Sequence, residues 1–169
     1  MKQIVVIQPS LRLESYTDYV CNYFIQKCLE RNDIELKLID LRERKLEFCD
    51  GRDISEYNKD LQDDYEFVKH ADIVILGFPL YHFSISGVLK NYLDIMRDAL
   101  QDKQINFLVS AIFQGGEIAY EHILESLWKK YNVQKIGIKT PYILNEMFIW
   151  WRLTDIWARK DIQDLANSL

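Results

Sequence analysis

A chain of 169 residues, 49% of them hydrophobic, is long enough to bury roughly 70% of its unfolded surface in one domain, so residues 1–169 need no disulfide or metal staple. The formal net charge of -5 repels nucleic-acid phosphates, and the three cysteines, Cys21, Cys28 and Cys49, form neither a metal-ligand spacing nor a disulfide framework. The apolar run at 4–7 is too short for a signal peptide and no run approaches the ~18 residues of a membrane span, so the expectation is a cytoplasmic protein with no membrane and no nucleic-acid partner.

In chain order, residues 3–7 read as a first strand and 16–31 as a helix with Val20, Cys21, Phe24, Ile25, Cys28 and Leu29 on one apolar face. Both helix cysteines are expected to pack as small apolar side chains. A second strand covers 34–39. Residues 41–59 are polar and turn-rich, with an Asp50-Gly51 turn signal, and 61–69 reads as a short helix. "DIVILG" at 72–77 is a continuous apolar run that suits a strand buried on both faces. Residues 86–100 read as a helix with Val88, Leu89, Tyr92, Leu93 and Met96 inward. A strand at 105–111, a helix at 118–131, a strand at 133–138 and a closing helix at 155–166 complete the series. This alternation predicts an α/β fold, a parallel sheet joined by right-handed crossovers with helices on both faces. Five strands fit the flavodoxin-like doubly wound order 2-1-3-4-5, whose ligand crevice lies at the carboxyl ends of strands one and three.

Residues 8–17 leave the first strand at that carboxyl end and enter a helix N-terminus. Free backbone N–H groups and the positive end of a helix dipole favour an anion there. Ser10, Ser15 and Thr17 offer hydroxyls, and Arg12 offers a charged fork for phosphate. Ser15 and Thr17 are also ordinary helix caps, but capping does not account for three hydroxyls and an arginine. The dinucleotide pattern G-x-G-x-x-G and the triphosphate pattern G-K-S/T are absent, and the loop has no lysine. A monophosphate with a bulky head fits better, and in this strand order that is FMN.

Two segments carry a resemblance to a known family. "PSLRLESYT" is similar to the phosphate loop of the NADPH-dependent FMN reductase family, roughly G-S-x-R-x-x-S-x-N/T. "ADIVILGFPLYHFSISGVLKNYLD" is similar to its second signature, roughly A-D-x-I/V-I/V-x-x-x-P-x-Y-x-x-S-x-P/S-G-x-L-K-N-x-I/L-D, and "FLVSAIFQGG" lies where the family has its third flavin loop. The resemblance spans about residues 3–116. It implies that Ser10, Arg12, Ser15, Tyr16 and Thr17 hold the FMN phosphate, and that Pro79, Leu80, Tyr81 and His82 lie along the isoalloxazine edge. Ser110, Gly115 and Gly116 would border the other side of the ring. The implied activity takes hydride from the co-substrate NADPH or NADH and passes electrons to free flavin, a quinone or another small-molecule acceptor; the flavin carries the chemistry, so no catalytic side chain is needed. A quinone or azo-dye reductase is the alternative within that class. A flavodoxin-type electron carrier, or a non-catalytic FMN-binding protein, is the alternative from another class.

Several residues depart from the family pattern. Pro9 replaces a glycine, and the turn loses a backbone N–H. Ala111, Ile112 and Phe113 stand in a loop that usually carries more glycine, and His82 stands where asparagine is frequent. Glu14 puts a negative charge in an anion loop and should point to solvent. His70, His82 and His122 share no ligand spacing, so no metal site is expected. Lys90 and Asp94 read as an i,i+4 surface ion pair. Gly87 is expected to permit a close backbone approach, or simply to start a helix. Phe148, Trp150, Trp151 and Trp157 suit either a core or a subunit interface, and the resemblance implies a homo-oligomer, dimer or tetramer.

Overall fold

Ile4, Val5, Val6 and Ile7 are each at most 3% exposed, which is why Lys2–Gln8 forms a central strand, β1, buried on both faces. The computed structural model describes residues 1–82, 84–110, 135–138 and 156–169. After β1 come α1 (Tyr16–Leu29), β2 (Ile34–Asp40), α2 (Lys59–His70), β3 (Ile73–Pro79), α3 (Gly87–Ile95) and β4 (Gln104–Ser110), and the described chain closes with α4 (Ile156–Ser168). β1 pairs in parallel with β2 and with β3, and β3 pairs in parallel with β4, so these strands run in the order β2-β1-β3-β4. The segment Lys135–Ile138 runs parallel to β4 with Lys135 opposite Gln104.

Alternate residues of each strand feed two separate cores, as a period of two requires. On one face, Ile4, Val6, Ile73, Ile75 and Leu108 meet Val20, Cys21, Phe24 and Cys28 of α1 and Ile162, Leu165 and Ala166 of α4. On the other, Val5, Ile7, Val74, Leu76, Ile105 and Phe107 meet Leu61 and Val68 of α2 and Leu89, Tyr92 and Leu93 of α3. Burying each such large apolar side chain contributes about 1.5–3 kcal/mol. Both helix cysteines are buried and free.

Three expectations need correction. Leu29 is 68% exposed and Ile25 only half-buried, because the buried stripe of α1 is Thr17, Val20, Cys21, Phe24 and Cys28. At 100° per residue, Leu29 falls about a quarter-turn or more beyond that stripe. The helix expected at 86–100 stops at Ile95: Met96 accepts from the N–H groups of both Ala99 and Leu100, which turns the chain while still burying them. Gly87 is exposed, and a Cβ there meets no described atom within 4 Å, so it serves as a helix start and not as a point of close approach. The helix expected at 118–131 lies outside the described residues.

The polar stretch after β2 contains two 3-10 turns, Leu41–Glu43 and Ile54–Glu56, with Gly51 between them at φ 87°. Asn91 of α3 ties this stretch down: its amide donates to the Glu47 carbonyl and accepts from the Cys49 N–H, each at 2.8 Å. Arg44 and Tyr92 both bond the buried Asp64. Lys90 and Asp94 form the expected ion pair on the surface of α3.

Candidate functional site

The first loop sits where β1, β3 and β4 end. Ser10, Ser15 and Thr17 are buried within it, while Arg12, Glu14 and Tyr16 are exposed. Three of these placements bear on an anion. The Ser10 hydroxyl is fully buried with no hydrogen-bond partner among the described residues. Ser15 occupies the N-cap position of α1 in an extended conformation, yet its side chain makes no cap hydrogen bond. The Arg12 guanidinium pairs with no acid among the described residues. By contrast, Asn58 caps α2 and Ser86 caps α3 through their side chains. A helix N-terminus left without its usual side-chain acceptor presents donors to a ligand.

This contrast sets an expected result. Ser86→Ala should destabilise the ligand-free protein by about 1 kcal/mol, since Ser86 Oγ accepts from the Leu89 N–H at 3.2 Å. Ser15→Ala should stay within about 0.5 kcal/mol of wild type. Equal losses in urea melts would return Ser15 to an ordinary capping role.

A charged network supports the loop from beneath. Arg42, just beyond β2, donates to both oxygens of Asp40 at 3.0 Å and to Asp18 of α1 at 2.8 Å. It also reaches the Arg12 carbonyl at 3.5 Å. Gln8 lies between Asp40 and the Ser10 N–H, bonding both. The guanidinium thus balances two carboxylates that would otherwise oppose an anion near the helix start. Gln8, Asp18, Asp40 and Arg42 were given no role from sequence; the available signal was that Asp40 and Arg42 follow the second strand at the same carboxyl edge.

Thr17 and Ser110 meet each other, their hydroxyl oxygens 2.7 Å apart in a buried contact. The first loop is thereby joined to the end of β4. Pro79 lies opposite Ser110 in the β3–β4 register, and the Leu80 N–H donates to the Ser110 carbonyl at 2.9 Å. Beyond Leu80 the chain makes a tight turn, with Tyr81 and Ser84 exchanging two backbone hydrogen bonds of 2.9 Å. His82 occupies that turn at φ 48°, exposed, and Tyr81 is 41% exposed beside it. Ser10, Thr17, Pro79, Leu80 and Ser110 therefore gather along one edge of the sheet. Gly115 and Gly116, with Ala111, Ile112 and Phe113, lie outside the described residues, as do Phe148, Trp150 and Trp151.

A family model described as NADPH-dependent FMN reductase matches residues 2–139. The chain belongs to the NADPH-dependent FMN reductase family. An NAD(P)H-dependent FAD/FMN reductase of Geobacillus thermodenitrificans is 39% identical over 93 residues, covering 54% of this chain and 47% of that protein. An FMN-dependent NADPH-azoreductase of Staphylococcus haemolyticus is 31% identical over 126 residues, covering 72% of this chain and 64% of that protein. The chain thus spans about half to just under two thirds of the length of these curated relatives. Among solved structures, an apo NADH:FMN oxidoreductase aligns over 100% of this chain and 90% of that one, with a TM-score of 0.77 at 22% identity. An azoreductase of Bacillus anthracis str. Sterne aligns over 100% of both chains, with a TM-score of 0.74 at 16% identity. At those identities the structures establish the flavodoxin-like α/β fold of this NADPH-dependent FMN reductase family member.

The residues present fit the phosphate of FMN. Among the described residues, the loop holds a buried hydroxyl without a partner, a helix start without a side-chain cap, and a guanidinium with no counter-ion. Pro9 offers no N–H, and the Ser10 N–H is taken by Gln8, so side chains and the α1 terminus make up most of the donor set.

Proposed function

We propose that the chain is an FMN-dependent oxidoreductase that takes hydride from NADPH or NADH and passes electrons to free flavin, a quinone or another small acceptor. The observation that carries this reading is the buried, unpartnered Ser10 hydroxyl beside the uncapped start of α1, in a chain of this family. FMN, when bound, supplies a ring that accepts hydride and releases electrons. Ser10, Ser15 and Arg12 hold its phosphate, with Tyr16 beside them. Thr17 acts through its bond to Ser110, fixing the start of α1 to the end of β4. Pro79, Leu80, Tyr81 and His82 border one side of the ring, and Ser110, Gly115 and Gly116 the other.

In this reading residues 1–169 are one cytoplasmic domain, and Lys135–Ile138 is the fifth strand of the order 2-1-3-4-5. The protein works as a homo-oligomer, dimer or tetramer. The aromatic residues Phe148, Trp150, Trp151 and Trp157 support an interface. The azoreductase name of a relative that matches 72% of this chain favours azo compounds and quinones among the acceptors.

Adding NADPH without oxygen to the FMN-loaded protein should bleach the flavin absorbance, and NAD(P)H should be consumed catalytically when free FMN or a quinone is supplied. Bleaching without turnover would leave an electron carrier. Arg12→Ala removes a charge-assisted hydrogen bond of roughly 1.5–3 kcal/mol, so FMN should bind about 10- to 150-fold more weakly. Unchanged affinity in that variant would remove Arg12 from the phosphate site.

A further inference from the structure

The side-chain amide of Gln8 has only one orientation that its neighbours permit. Gln8 is 0% exposed at the carboxyl end of β1. Its Nε2 lies 3.5 Å from Asp40 Oδ1, and its Oε1 accepts from the Ser10 N–H. A carboxylate can only accept and a backbone N–H can only donate, so the reversed amide would set acceptor against acceptor and donor against donor. Arg42 in turn fixes Asp40 through both carboxylate oxygens. A chain of three side chains therefore aims the Gln8 carbonyl at the phosphate loop.

In that loop the carbonyl holds the place of an anion's oxygen. Pro9 has no N–H, so the Ser10 N–H is the first backbone donor after β1, and Gln8 occupies it. The hydroxyl of the same Ser10 is buried with no partner among the described residues, so there the residue keeps one donor open and one filled. We infer that Gln8 sets the affinity of the phosphate loop: its carbonyl stands in for a phosphate oxygen on the Ser10 N–H and is displaced when the flavin phosphate binds. This rests on the FMN reading above. Binding then exchanges one hydrogen bond for another instead of adding one. The phosphate contributes less to affinity than it would in a loop with a free N–H, and the protein discriminates less between FMN and riboflavin, which lacks the phosphate.

Gln8→Met keeps the length of the side chain and removes the carbonyl. Dissociation constants for FMN and riboflavin, measured by flavin fluorescence on wild type and variant, test the idea. The ratio of the riboflavin constant to the FMN constant should rise about 2- to 12-fold in Gln8→Met, the range for one neutral hydrogen bond. The ligand-free variant should also melt at a lower temperature, because the Ser10 N–H has lost its partner. An unchanged or smaller ratio, with both flavins still binding, overturns the role of Gln8 and leaves the FMN reading in place. Wild-type protein that binds neither flavin overturns both. Should Gln8→Met fail to fold, the wild type decides by NMR. Its Gln8 side-chain amide signals should move with FMN and stay in place with riboflavin, and equal movement with both, or none with either, overturns the inference.

Discussion

Asp64→Ala should lower the unfolding free energy by about 3–5 kcal/mol. Asp64 is 1% exposed on α2, where it accepts from Arg44 Nε at 3.0 Å and from the Tyr92 hydroxyl at 3.2 Å. Removing the carboxylate leaves a guanidinium that is only 17% exposed without its counter-charge, and a fully buried phenol without its acceptor. The double variant Asp64→Leu with Arg44→Met should lose much less, because it leaves no orphaned charge. Urea melts of both variants check this, and a single variant as stable as the double would show that the pair is not behaving as a buried one. The pH dependence has a definite sign. Burial raises the Asp64 carboxyl above its ordinary value near 3.8, despite the opposing pull of Arg44. The folded state thus keeps this proton where the unfolded chain has released it. The proton-linked part of its contribution is fully present below pH 3.8 and is lost as pH rises through the raised folded value, above which the ionised carboxylate remains as the counter-charge of Arg44. Asp64→Asn keeps an acceptor for Tyr92 but cannot titrate, so its stability should lack that slope.

That buried trio also marks what could be read in the sequence. The central strands were legible as short continuous apolar runs, and most of the α1 stripe by its 3.6-residue period, although Ile25 and Leu29 fall outside that stripe. The end of α3 was not: Met96, Ala99 and Leu100 recur at helical spacing, but the turn that follows Ile95 buries them at the same spacing. The signature at 71–94 puts Pro79 and Leu80 beside Ser110 at the carboxyl edge of the sheet, while Asn91 and Tyr92 within it hold the stretch after β2 and face Glu47, Cys49 and Asp64. Within the first loop, Ser10 could be singled out by type and position. The partner of Thr17 could not, since Ser110 lies 93 residues away. Nor could Gln8, Asp40 and Arg42, whose meaning comes only when β1 and β2 lie side by side in register, with Gln8 opposite Asp40.

Gly77→Ala should destabilise the protein by about 1–3 kcal/mol, and Cys21→Ala should relieve most of that loss when the two are combined. A Cβ at Gly77 would sit 2.2 Å from Cys21 Sγ, 3.7 Å from the Ile7 carbonyl and 3.7 Å from Thr17 Cγ2. The sulfur has a single rotatable bond, and Cys21 is 0% exposed in a close-packed stripe, so little room remains for it to turn. Relief must then come from moving α1 off the sheet. α1 begins at the phosphate loop, and Thr17, one of the contacts, carries the bond to Ser110. The strain therefore reaches the site: Gly77→Ala should weaken FMN binding along with stability, although Gly77 lies beneath α1 and is itself no part of the phosphate loop. Cys21→Ala alone leaves a small void and costs roughly 0.5–1.5 kcal/mol, similar to the loss of one buried methylene. In the double variant one heavy atom is added where another is removed, so the volume is conserved and both stability and affinity should recover toward wild type. Additive losses in the double variant would show that α1 and β3 do not compete for this space, and the glycine would then need another reason.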